Sequence, residues 1–180
     1  MLKLATCLAL LIIVKSQSCT TGCPKNQDIV FISDETTLVT GPLTKTQGPA
    51  VKNLFIHGAW KAIIPGSFWI SDEPNISTVV AAAETFRYYT KFVNIPCAPS
   101  NVLLTYASDN SIKTYVNGQF VPGCSSDTES NFAQSKTCTI TNYFTVGNNV
   151  VSWVVKNWAQ SGGTYTSNPT GLMYQLKITV

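Results

Sequence analysis

Histidine, paired carboxylates and cysteines carry most protein chemistry, and this chain places them sparsely. His57 is its one histidine, and no Gly-x-Ser-x-Gly turn presents a nucleophile to it. General acid–base work needs two carboxyl groups, or a carboxyl and an imidazole, facing one cleft. The nine carboxylates fall mostly in turn-rich polar stretches: Asp34-Glu35, Asp72-Glu73, Asp109, Asp127 and Glu129. Aspartates in such stretches ordinarily bond their own backbone. The sequence therefore predicts a protein that is not an enzyme.

The six cysteines offer a different chemistry. Cys19-x-x-x-Cys23 has the spacing of half a zinc site, but zinc wants four ligands and a single histidine leaves the set short. Disulfides fit better. Cys124 and Cys138 flank a polar loop, SSDTESNFAQSKT, and are expected to pair. Cys97 is then expected to take Cys19 or Cys23, tethering the N-terminal segment to the sheet. Cys7 falls in the leader described next, so five cysteines remain. One of them is left free or available for an intermolecular bridge.

The chain opens MLKLATCLALLIIVKSQS: a positive Lys3, an apolar run over 4–14, then the small residues Ser16 and Ser18. This is the pattern of a secretory signal peptide over residues 1–18, cut after Ser16 or Ser18. The run is shorter than the roughly 20 residues a membrane span requires. Removing Lys3 and Lys15 with it takes the net charge from +3 to +1. A nearly neutral remainder gives no electrostatic case for nucleic acid or for an anionic membrane. Residues 19–180 are one domain's worth. Asn75-Ile76-Ser77 is an acceptor for N-glycosylation, which would place 72–78 on the surface, whereas proline follows Asn168 and blocks the same motif there.

The elements that must position any site read as strands. Residues 19–50 are polar and turn-rich, with a first strand at 29–32, and they form an N-terminal segment at the edge of the domain spanning 51–180. Further strands are expected over 51–56, around the Pro65-Gly66 turn, and over 85–93, where aromatic residues alternate with Arg87 and Lys91 on the other face. The three alanines just before it lean towards helix. Strands at 102–106 and 113–116 are expected to form a hairpin through 108–111, with Asn117-Gly118 as the next turn. Strands at 137–146 and 150–156 are expected to form another through Gly147-Asn148-Asn149, and 172–180 closes the set. The pattern argues for an all-β antiparallel sandwich.

Taken in order, Phe86-Arg87, Tyr106-Ala-Ser-Asp-Asn110, Tyr115-Val-Asn-Gly118, Val146-Gly-Asn-Asn-Val150, Val154-Val-Lys-Asn157 and Asn168-Pro-Thr-Gly-Leu172 resemble the core of galactose-binding-like jelly-roll domains. The likeness covers roughly residues 60–180. It implies an antiparallel β-sandwich of the galactose-binding-like jelly-roll kind, and a sugar site on loops at one end of it. Trp158 follows the last residue of a strand and opens a polar loop, AQSGGTYTSNP, that also holds Tyr165. These two are the expected stacking residues, with Asn157, Asp109 and Arg87 as polar partners. Trp60, Trp69 and Trp153 stand in apolar strand contexts and are expected in the core. No cofactor is expected; the resemblance leaves room for a structural Ca²⁺ on the hard oxygens of Asp28, Asp34 and Glu35. The reading is a secreted, non-catalytic, lectin-like domain that recognises glycans or glycoproteins. Its rival is an extracellular structural module that self-assembles without a free ligand, favoured by the odd cysteine and the low charge.

Overall fold

The computed structural model describes residues 23, 26–75 and 82–180. The expected signal peptide, Cys19 and most of the glycosylation motif lie outside the described residues. Twelve strands among them build two antiparallel sheets. One sheet contains β1 (Asp28–Ile32), β4 (Val51–Lys52), β5 (Ile70–Ser71), β7 (Asn101–Asp109), β10 (Lys136–Thr139) and β12 (Gly171–Thr179). Its order is β10-β7-β12-β5-β4, with β1 also paired to β12. The other contains β2 (Leu38–Thr40), β3 (Gly48–Pro49), β6 (Thr85–Ile95), β8 (Ser111–Val116), β9 (Gln119–Phe120) and β11 (Gly147–Asn157), in the order β3-β2-β6-β11-β8-β9. No described helix is long and apolar enough to cross a membrane.

Two expected hairpins are replaced by crossings between sheets. β7 pairs with β12 and β10, while β8 pairs with β11 and β9. The chain at Asn110 therefore passes from one sheet to the other. Likewise the expected strand 137–146 stops at Thr139, a short 3-10 turn follows at Thr141–Tyr143, and β11 pairs with β6 and β8 instead of with β10. Turn residues show where the chain reverses but not whether the next strand stays in the same sheet. That choice is made by which apolar faces meet. Asn117-Gly118 does make the tight hairpin between β8 and β9, with both residues at positive φ (51° and 79°).

The core lies between the sheets. Trp153 of β11 stacks on Tyr174 of β12 at 4.4 Å between ring centres, and both are fully buried. The Tyr89 hydroxyl crosses the same gap to donate to the Ile70 carbonyl at 3.1 Å. A smaller cluster covers the outer face of the first sheet, where Trp60 and Trp69, stacked at 4.1 Å, pack over Ala107 and Met173. The stretch expected as strand around Pro65-Gly66 is this irregular cover. The three tryptophans expected in the core are all buried. Two disulfides fasten the sandwich, Cys23–Cys97 and Cys124–Cys138.

β6 turns the expected exposure over. Its inward positions are Thr85, Arg87, Tyr89, Lys91, Val93 and Ile95; its outward ones include Phe86, Tyr88 and Phe92. The cations tolerate burial because each meets an anion. Arg87 Nε donates to Asp72 Oδ1 at 2.5 Å and Nη1 donates to Thr85 Oγ1 at 3.2 Å. Lys91 Nζ reaches Asp34 Oδ1 at 3.2 Å and also the Thr36 hydroxyl. Asp72 is thus buried rather than on the surface, and its carboxylate lies where a Cβ on Gly41 would stand. Glycine at 41 makes room for it.

Candidate functional site

The loops at one end of the sandwich meet around Asn110. Its side-chain Oδ1 accepts the Trp158 backbone N–H at 2.8 Å, and its Nδ2 donates to the Glu129 carbonyl at 3.0 Å. Asn168 Nδ2 donates to the Trp158 carbonyl at 2.9 Å. The Trp158 indole Nε1 donates to Ser111 Oγ at 2.8 Å. The indole is therefore held at its edge and along its backbone, and it remains 37% exposed. Lys156 Nζ stands 5.4 Å from its ring centre, within cation–π range, and is paired with Glu84 at 2.8 Å. An indole so fixed loses little freedom when a ring stacks on it.

Beside this tryptophan lies a polar recess of about 140 Å³, lined by His57, Asp109, Asn110, Glu129, Gln160 and Ser167 among others. Asp109 is 4% exposed; Oδ2 accepts the Trp60 indole N–H at 2.7 Å and Oδ1 has no hydrogen-bond partner. Burial pushes its carboxyl up to about 7, against the pull of the Trp60 bond and with a smaller push from Glu129. His57 Nδ1 accepts the Ala59 N–H at 3.2 Å, which leaves Nε2 to carry the ring proton as a donor. The recess thus offers acceptors and donors in a water-poor setting, suited to a neutral polyhydroxyl ligand.

On the other side of Ser111 a second recess of about 270 Å³ opens on the outer face of the β6–β11–β8 sheet, with Phe86, Val154, Lys113, Lys156 and Asp127 around it.

The structure ties Trp158 to Asn110, next in sequence to Asp109, and buries Arg87 and Asn157. Arg87 is fully buried and paired with Asp72, so it is no solvent-facing contact. Asn157 is also fully buried, with neither amide atom hydrogen-bonded. It is the last inward position of β11, which runs one residue beyond the expected end at 156, so alternation carries the side chain inside. Tyr165 is 37% exposed and meets Phe55 edge-on at 5.9 Å in a depression that Asn75 also lines and that shares Pro169 with the recess. Asn75, the glycosylation acceptor, is exposed. His57, Asn110 and Gln160 were missed; the Asp109-Asn110 pair was the available signal, read as a hairpin turn. The carboxylates considered for Ca²⁺ meet three different lysines: Asp28 with Lys177, Asp34 with Lys91 and Glu35 with Lys52. No group of three or more metal-type ligands occurs among the described residues. Cys97 takes Cys23, which removes Cys23 from any zinc set.

No protein-family model matches the chain, and no curated protein matches it. Solved structures do. The chain is similar to a β-glucuronidase from Ruminococcus gnavus solved in complex with D-glucuronic acid, with a TM-score of 0.50 and 8% identity over 87% of this chain and 30% of that one. It is also similar to a putative β-galactosidase from Bacteroides fragilis, with a TM-score of 0.49 and 14% identity over 84% of this chain and 23% of that one. A family 35 carbohydrate-binding module from Clostridium thermocellum gives a TM-score of 0.44 and 14% identity over 84% of this chain and 99% of the module. The chain thus spans between a fifth and a third of the two glycosidase chains. Its two antiparallel sheets make the all-β sandwich that the sequence predicted. At these identities the likeness concerns fold alone.

Proposed function

We propose that this is a secreted, non-catalytic domain that binds carbohydrate at the loop end of its sandwich. The observation that carries the reading is the partly exposed Trp158, held by Ser111 and by Asn110 and Asn168, two residues of the recess wall. A sugar ring stacks its C–H face on the indole, and its hydroxyls meet His57 Nε2 and the Gln160 amide. The non-catalytic part of the reading rests on the sequence, which has one histidine and no Gly-x-Ser-x-Gly nucleophile turn. Two disulfides fit the oxidising compartment that secretion implies. A glycan on Asn75 would sit beside Tyr165, which removes that tyrosine from the ligand site.

Fluorescence separates the outcomes. Trp60, Trp69 and Trp153 are buried, so Trp158 supplies the solvent-sensitive emission. Binding of a glycan found on an array should shift that emission, and Trp158→Ala should weaken binding at least tenfold, on the order of 1.4 kcal/mol, with the fold unchanged. A folded wild-type protein that binds nothing on a broad array sinks the reading; binding indifferent to Trp158 moves the site.

A further inference from the structure

The outer face of the β2–β6–β11–β8–β9 sheet is apolar at its centre, and the loop-end site reaches it at Lys156 and Ser111, at one edge. Phe92, Tyr88 and Phe86 stand out at 63%, 53% and 42% exposure. Register places Val154 beside Tyr88, Val150 beside Phe92, and Tyr115 with Phe120 beyond Ser152. The strand positions of this face carry no carboxylate; their charges are Lys113 and Lys156, both at the Phe86 end. The opposite end holds amides, where Asn94 Nδ2 donates to Asn148 Oδ1 at 2.7 Å and leaves Asn94 Oδ1 as an outward acceptor. An apolar centre with a polar rim is the anatomy of a protein interface.

We propose that this face docks a second copy of the same chain, sheet against sheet, about a two-fold axis near the Thr90–Ser152 pair. Three features of the face fit that occupant. The axis sets the lysine end of each copy over the amide end of the other, so Lys113, and Lys156 with its partner Glu84, meet Asn94 and Asn148. It also brings Phe92 of each copy towards the recess of about 270 Å³ beside Phe86 and Val154 in the other, a knob facing a hole. β6 and β11 have 11 residues each, β8 has 6, β2 has 3 and β9 has 2, which at about 3.3 Å by 4.8 Å a residue gives on the order of 500 Å² per copy. A standard stable interface takes about 800 Å² from each partner, so a contact of this size makes a weak, concentration-dependent dimer. An isologous contact of this kind closes on itself and makes a dimer rather than a fibre. The proposal does not rest on the carbohydrate reading, since the axis leaves the recess at Asp109 at the loop end of each sandwich.

The test is sedimentation equilibrium of the full secreted chain carrying Cys19→Ser, which removes any covalent dimer through that thiol. The expected result is a concentration-dependent dimer that Tyr88→Asp with Phe92→Asp weakens about 100-fold while the near-ultraviolet circular dichroism stays unchanged. Should the double variant fail to fold, Phe92→Ala carries the test, with a weakening of about tenfold. A protein monomeric at every concentration reached overturns the proposal, as does a dimer indifferent to these substitutions. A monomer whose glycan binding is lost with Tyr88 and Phe92 also overturns it, and assigns the face to sugar instead.

Discussion

Asp109 stands where the chain leaves β7 to cross between the sheets, and burial sets its chemistry. A carboxyl raised to about 7 in the folded protein holds a proton that the unfolded chain has released between about pH 4 and 7. Its contribution to stability is therefore most favourable below pH 4 and is lost as pH rises through 7. The whole effect is about 4 kcal/mol. Asp28 and Asp34 act oppositely: their lysine and threonine partners hold both carboxyls below the usual range, so the stability they give is lost only as pH falls below about 4. The two effects occupy separate pH windows. Asp109→Asn keeps an acceptor for the Trp60 indole while removing the titration. Thermal melts from pH 5 to 8 should show the wild-type midpoint falling with pH and the variant's falling much less. Parallel slopes would show that Asp109 ionises freely. The residue was visible in the sequence, but its burial was not, because an Asp-Asn pair between two strands reads as a solvated turn unless the sheet change at Asn110 is known.

β6 makes the same point over eleven residues. Its alternation was plain, and so were its limits at 85 and about 93. The sequence could not say which of its two faces turned inward, because both mix aromatic and polar residues. The sequence put Phe86, Tyr88 and Phe92 on one face and Arg87 and Lys91 on the other; the structure turns Tyr89, Val93 and Ile95 inward with the two cations among them. The deciding contacts are long-range. Asp72 and Asp34 supply counter-charges from distant segments, and a one-residue slip would bury three aromatics while exposing Tyr89. Alanine substitution on the two faces measures that choice. Tyr89→Ala removes a fully buried ring and should cost about 3–5 kcal/mol by chemical denaturation. Tyr88→Ala, next to it in sequence, should stay within about 0.5 kcal/mol at concentrations where the chain is monomeric. Equal losses would mean that both faces of β6 are covered. Trp158 was legible for a complementary reason: a tryptophan entering a Gly- and Ser-rich loop has no strand neighbour to bury it. Arg87 and Asn157 were not, since their type says exposed and only strand register says otherwise.

The sandwich depends on crossings between its sheets, and the two disulfides sit on such crossings. Cys124 follows β9 in one sheet and Cys138 lies in β10 of the other; Cys97 lies on the passage from β6 to β7, and Cys23 precedes β1. Pairing of Cys124 with Cys138 was readable because a 13-residue polar loop lies between them. The choice of Cys23 over Cys19 for Cys97 was not, since both stand the same side of β1 and only the placement of β1 against β12 decides the reach. Cross-links spanning 74 and 14 residues restrict the unfolded chain by about 4.5 and about 3 kcal/mol respectively. Their total is comparable to the whole stability of an ordinary domain, about 5–15 kcal/mol. Cys23→Ser with Cys97→Ser should therefore cost more than Cys124→Ser with Cys138→Ser, even though Cys124 is the more deeply buried, and the fourfold serine variant should be marginal at 37 °C. Urea titrations of the three variants check this order. A fourfold variant as stable as wild type would mean that sheet packing alone holds the jelly roll, and that this fold does not require an oxidising compartment.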